Sequence, residues 1–301
     1  GFGVGELEFP RPNPEAIERL YRGIRNVAPG LETLHMDNVN PGTIAHWVEE
    51  SRRVAKIIVK YHTPGDVAAF GVESADPAVV KANNLKVYPE EAMKAIETLN
   101  EVGAVRGWIG LPHLLPGINF VYGLLGESEE TYRLNYEFMK KVLEKGLMVR
   151  RVNIRQVLPL KGTRMWHVGT RILRKHQSLF KCWKEKMRKE IDLPMLRRVA
   201  PVGTILRRVY TETYKGNLTL ARQVGTYPLL VGIPSKLKLN EFIDVKVVDH
   251  GYRSVTAVPY PLDVNKASLS LLEAIPGIGR KRALRILRAR PLKNVEQLFK
   301  V

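Results

Sequence analysis

Residues 117–132, GINFVYGLLGESEETY, constrain the fold more than any other stretch of this chain. Ile118, Phe120 and Tyr122 alternate with Asn119 and Val121, the period of a strand built from β-formers. Gly123 and Gly126 break that pattern, and Glu127, Ser128, Glu129 and Glu130 read as the capped, acidic first turn of a helix. A strand that runs through glycines into a helix is half of a βαβ unit. Ligands of α/β folds gather at the carboxyl ends of the strands, because the loops open there.

The rest of the first half repeats that unit. Helices are expected over 15–25, 41–51, 89–102 and 129–145, and strands over 31–36, 56–61 (KIIVKY), 67–72, 105–109, 118–122 and 149–158. Such alternation implies a parallel sheet or barrel. The Pro-rich loop LPHLLPG around His113 is a candidate lining for a substrate mouth, and Cys182 reads as a buried small apolar residue. The histidines at 35, 46, 62 and 113 have no metal-site spacing among themselves.

Charge divides the chain. Before residue 150 there are 16 Lys/Arg against 20 Asp/Glu, and from there on 32 against 10, giving the overall +18. A near-neutral half joined to a strongly basic one predicts a core domain plus a polyanion-binding region, and nucleic acid is the expected partner. The single cysteine excludes an internal disulfide and fits a reducing compartment, hence an expected cytoplasmic location. No apolar run approaches the roughly 20 residues of a membrane span.

Residues 170–198 form a basic helical run expected to stop near Pro194 and Pro201. Residues 202–258 read as short strands between Gly and Pro, the pattern of a small antiparallel barrel of the kind that binds oligonucleotides. The last piece, LLEAIPGIGRKRALRILRARP, places two helices around Pro276-Gly277-Ile278-Gly279 and resembles the helix-hairpin-helix motif. There Gly277 and Gly279 let backbone N–H groups approach a phosphate at the start of the second helix, and Arg280, Lys281 and Arg282 add charge.

Ordered segments of the first half resemble the radical S-adenosylmethionine (radical SAM) enzymes. Gly3-Val4-Gly5-Glu6 is similar to their Gly-Gly-Glu segment. The strand end at His35-Met36-Asp37-Asn38-Val39-Asn40-Pro41 is similar to the next barrel strand. Gly71-Val72-Glu73-Ser74-Ala75-Asp76 is similar to their G-x-[EQ]-S-G-S-D segment, residues 117–130 to the glycine-rich strand exit, and Arg155 to Thr163 to the last strand. The resemblance implies a partial (β/α) TIM-like barrel that binds S-adenosylmethionine (SAM) through Gly5, Glu6, Asn38, Glu73, Ser74, Val121, Gly123 and Arg155. The adenine would lie against the strand supplied by residues 117–130, Glu73 and Ser74 would reach the ribose or methionyl end, and Arg155 would meet the SAM carboxylate. Residues 202–258 are similar to the TRAM domain, an OB-like RNA-binding barrel.

The expected organisation is therefore α/β followed by all-β and α: a partial radical SAM barrel over 1–169, a basic linker over 170–200, a TRAM/OB-like barrel over 201–262 and a helix-hairpin-helix over 263–301. The resemblance also implies a 4Fe-4S cluster held by a CxxxCxxC loop, and this sequence has no such loop. It is expected to be the C-terminal portion of an iron–sulfur enzyme that modifies nucleic acid, tRNA before DNA, and to be inactive alone. The alternative is a non-catalytic nucleic-acid-binding protein on a degenerate barrel.

Overall fold

Strand β3, Leu114–Tyr122, is the centre of the first sheet. A computed structural model describes residues 9–300. Within it β1 (Asn38–Val39), β2 (Asp66–Glu73), β3 and β4 (Arg151–Gln156) form a parallel sheet in that order. Ile118 and Phe120 are 0% exposed and Tyr122 is 3% exposed, packed with Phe70, Val72, Val152 and Ile154 under a layer of helices. Fully burying such a side chain contributes about 1.5–3 kcal/mol, so one face of this sheet carries most of the apolar driving force.

The helices follow from their caps. Asn13 caps α1 (Pro14–Val27), Asn40 caps α2 (Pro41–His46) and Asp76 caps α4 (Pro77–Asn83), each with a proline at the first helical position. Helix α5 (Pro89–Gly103) turns Ala92, Ala95, Ile96 and Leu99 inward, and α6 (Glu129–Glu144) turns Tyr132, Tyr136 and Met139 inward.

Three local expectations are corrected. KIIVKY is no strand but the end of α3 (Val48–Tyr61), whose inward positions Ser51, Ala55 and Ile58 recur at helical spacing. Burial of that stripe overrides the strand preference of its β-branched residues. Residues 31–36 join no sheet; the N–H of Leu34 donates to Thr63 Oγ1 at 3.1 Å and that of Met36 to Asp66 Oδ1 at 3.1 Å, so side chains replace a strand partner. Residues 105–109 form a turn closed by a bridge between Arg106 and Pro112.

After β4 come α7 (Arg164–Val168), α8 (Arg171–Lys175), α9 (Gln177–Met187), a π-helical turn (Arg188–Asp192) and α10 (Leu193–Val199). The helix does not stop at Pro194, as expected, but widens before it. Pro194 has no N–H for the Glu190 carbonyl, and the Leu193 N–H reaches back to Arg188 O instead. Cys182 is exposed rather than buried, because Leu179, Phe180 and Trp183 take the inward face of α9.

Contacts divide the molecule into two units. One holds the described residues up to Gly107 together with Pro112–Val199; the other holds Trp108–Leu111 and the described residues from Ala200 on. In the second, β5 (Ile205–Lys215), β6 (Leu218–Gln223), β7 (Leu230–Ile233), β8 (Phe242–His250) and β9 (Ser254–Pro259) close a barrel in the order β5-β6-β7-β9-β8. The barrel is not wholly antiparallel: β7 and β9 run parallel. Its interior is filled by Leu206, Val209, Ala221, Val231, Val245 and Val255. Helices α11 (Leu269–Glu273), α12 (Arg280–Arg288) and α13 (Val295–Lys300) complete this unit.

Candidate cofactor face and nucleic-acid interface

The sheet of the first unit has a second face. Side chains alternate along each strand, so if Ile118, Phe120 and Tyr122 point to the helices, Asn119 and Val121 point away. The register sets Asn38, Ala69, Gly117 and Arg151 on one rung of that face, Gly71, Asn119 and Asn153 on the next, and Val121 and Arg155 above them. The Asn153 amide donates to Asn119 Oδ1 at 2.7 Å, and the Arg151 guanidinium bonds Asn153 Oδ1. This face is polar and only partly covered.

Glu73 is its most unusual residue. The register shifts between Gly71 and Glu73, and Glu73 takes a left-handed φ of 60°. A bulged, left-handed glutamate costs on the order of 1–2 kcal/mol, which surrounding structure must offset. The distortion folds the carboxylate back over Gly71: a Cβ at Gly71 would lie 2.9 Å from Glu73 Oε1. Partial burial pushes the Glu73 carboxyl above its ordinary value, and the charge of Arg155 opposes that shift. Among the described residues the carboxylate has no hydrogen-bond partner. A strained, partly desolvated carboxylate near a guanidinium at a strand end makes this the candidate site of the first unit.

The remaining cofactor candidates divide. Asn38, Val121 and Arg155 share the polar face by register, and the Glu73 carboxylate reaches it over Gly71. Ser74 is fully buried and engaged locally, its Oγ accepting from the Asp76 N–H at 3.1 Å and donating to Asn135 at 3.5 Å. Gly123 is buried too. Its N–H donates to the Glu127 carboxylate, its φ is +91°, and an added Cβ would meet Leu173 at 2.3 Å. Gly5 and Glu6 lie outside the described residues. The loop around His113 does not reach this end: Leu114 to Gly117 are buried in the amino half of β3, and the His113 carbonyl accepts from Asp66 N–H at 3.1 Å.

Sequence reasoning missed the knot behind Gly123. Glu127 accepts from Gly123 N–H, from the Tyr132 hydroxyl at 3.0 Å and bonds His176 Nδ1 at 2.9 Å, all buried. Burial and the neighbouring Glu127 push the Tyr132 hydroxyl strongly upward, so it stays a donor. His176 lies far along the chain, and no local pattern marks it. A cavity of about 480 Å³, lined by Ile17, Tyr21, Ile44, Val54 and Ile58 among others, has no charged side chain among the described residues.

The second candidate is the hairpin between α11 and α12. Gly277 takes φ +84°, Gly279 is the N-cap of α12, and nothing lies within 4 Å of a Cβ added to either. With glycine as cap, no side chain among the described residues satisfies the first amides of α12, which leaves them open to an anion. Arg280 pairs with Glu273 at 3.2 Å and Arg282 donates to Gly277 O at 2.8 Å, so both steady the hairpin, while Lys281 is exposed on the first turn.

Residues 261–301 match the model of the helix-hairpin-helix motif. An uncharacterized protein of Archaeoglobus fulgidus is 49% identical over 284 residues, covering 94% of this chain and 54% of that protein. One of Methanocaldococcus jannaschii is 55% identical over 251 residues, covering 83% and 46%. The chain thus spans about half the length of the curated relatives it matches. Among solved structures, the radical S-adenosylmethionine methyltransferase TsrM of Kitasatospora setae is 13% identical with a TM-score of 0.34, covering 49% of this chain and 23% of that one. Elp3 of Methanocaldococcus infernus is 15% identical with a TM-score of 0.34, covering 71% and 56%. Likeness at that level is too slight to specify a fold. The helix-hairpin-helix match is what these comparisons establish for the chain itself.

Proposed function

We propose that this chain is the SAM-binding and nucleic-acid-gripping portion of a radical SAM iron–sulfur enzyme that modifies nucleic acid, tRNA before DNA. The observation that carries the reading is the polar face where Glu73, held at left-handed φ over Gly71, opposes Arg155.

The donor set fits SAM. Its methionyl end bears an ammonium and a carboxylate, which Glu73 and Arg155 complement in sign, and the Asn119–Asn153 pair offers amides to hydroxyls. Bound SAM supplies an activated sulfonium carbon–sulfur bond. Glu73 and Arg155 orient its methionyl end, and the buried helix side of the sheet keeps those strands rigid. Gly123 and Glu127 shape the strand exit from behind. A 4Fe-4S cluster does not fit this chain: such a cluster needs several thiolates, and the sequence holds one cysteine, exposed on α9. Thiolates for the cluster would come from outside these 301 residues. In the second unit the five-stranded barrel order and the basic hairpin support an OB- or TRAM-like RNA-binding role.

The single cysteine also favours the second reading, a nucleic-acid-binding protein on a barrel that no longer carries chemistry. Titration of SAM into the chain by calorimetry separates the two. The first predicts saturable binding that Glu73→Gln and Arg155→Met each weaken about tenfold, the worth of one charge-assisted hydrogen bond. Absence of SAM binding to the wild-type chain defeats the first and leaves the second.

A further inference from the structure

The forty residues 145–184 contain eleven Lys/Arg and no Asp or Glu. Those from Val157 onward leave the top of β4 beside Arg155 and continue through α7, α8 and α9 as a strap over the strand exits. One side of the strap is tied down. Leu173 covers Gly123, His176 bonds Glu127, Phe180 lies edge-on to Tyr122 with ring centres 5.6 Å apart, and Trp183 packs on Tyr136 at 5.5 Å. The other side faces water.

That outer side is charged and unneutralised. Arg171, Arg174 and Lys175 fall at i, i+3 and i+4 and therefore on one face of α8; all three are exposed, and among the described residues none forms an ion pair. Lys161 and Lys181 are likewise exposed and unpaired. Elsewhere in the same unit several basic side chains are matched, Arg11 with Glu50, Arg53 with Glu15 and Lys60 with Glu18, and the unmatched ones, such as Lys56 and Lys94, lie in stretches that also carry acidic residues. In the same strap, five residues before Arg171, Trp166 is 51% exposed. Cations without counter-charges and an exposed indole in one short segment are the parts of a phosphate track with a stacking platform, and both suit unpaired nucleotides.

We infer that the strap, residues 157–184, is a binding surface for a single strand of nucleic acid, with Trp166 stacking on a base and Arg171, Arg174 and Lys175 neutralising phosphates. A strand held there lies at the carboxyl ends of β3 and β4, the end that carries Arg155. The inference rests on the reading that nucleic acid is the partner, and on neither SAM binding nor the hairpin.

Fluorescence anisotropy of labelled oligo-U and oligo-dT of about 15 nucleotides, across a range of salt, tests it. The triple variant Arg171→Gln/Arg174→Gln/Lys175→Gln should lower affinity and reduce the slope of log K on log salt by about 2, at roughly 0.7 per phosphate of a single strand. Trp166→Ala should lower affinity about tenfold with the slope unchanged. Thermal melts should match the wild type, since all four side chains are exposed. If the triple variant keeps wild-type affinity and slope while Gly279→Ala loses binding, the strap fails and the hairpin reading stands. If duplex of the same length displaces the single strand at equal concentration, the strap inference is overturned as well. If the wild type binds no oligonucleotide, both readings fall together.

Discussion

The parallel sheet and the small barrel treat their inner faces in opposite ways. The barrel closes on itself, and Leu206, Val209, Val231 and Val245 fill it at 0% exposure. The buried hydroxyls of Thr211 and Thr219 bond to backbone carbonyls of the barrel's own loops. The sheet buries its helix side along the whole of β3, where Phe70, Ile118 and Phe120 are fully covered, but covers the other side only over the amino half, leaving Asn119, Glu73 and Arg155 less covered at the carboxyl end. A closed sheet spends both its edges and its interior on stability; an open one can hold polar chemistry on the uncovered face.

Substitutions can break that contrast. The largest effect is expected at Phe120→Ala, which should cost about 3–5 kcal/mol in denaturant unfolding, whereas Asn119→Ala, one residue away on the polar face, should cost about 1 kcal/mol. Near-equal losses would mean that both faces are packed alike. Next comes Gly123→Ala: a left-handed residue without glycine costs about 1–2 kcal/mol before any collision with Leu173. Leu173→Ala in the same chain should recover part of the loss, and no recovery would place the strain in the backbone alone.

Smaller effects sharpen the comparison. Gly279→Ala should weaken nucleic-acid binding roughly tenfold, the loss of one amide–phosphate contact, while leaving unfolding within about 0.5 kcal/mol. The smallest is electrostatic. Burial raises the Glu73 carboxyl above its ordinary value. The folded state therefore binds this proton more tightly than the unfolded chain, and stability falls as pH rises from the unfolded value through the raised folded one. Glu73→Gln should remove that slope, and stability profiles of the two proteins that run parallel from pH 4 to 7 would show the carboxyl to be solvated.

Particular residues show how far sequence reached. Alternation in 117–122 marked both β3 and its buried face, because period two is a property of the strand itself. The helices beginning near 14 and 41 were marked, since their caps Asn13 and Asn40 act locally, whereas α4 behind Asp76 was not among the expected helices. KIIVKY failed because β-branched residues tolerate either state, and only the neighbours of Ala55 and Ile58 decide. Residues 31–36 failed because their amides found Thr63 and Asp66, which no local rule foresees.

The sequence by itself determined the strand–glycine–helix unit, the uneven charge and the hairpin glycines, since each depends on residues a few positions apart. Tertiary structure alone decided that Glu73 lies within reach of the charge of Arg155, that Ser74 meets Asn135, and that His176 closes the knot on Glu127. Those are contacts between residues distant along the chain. Which of the many polar side chains meet is settled by register and burial, and neither is written in local pattern.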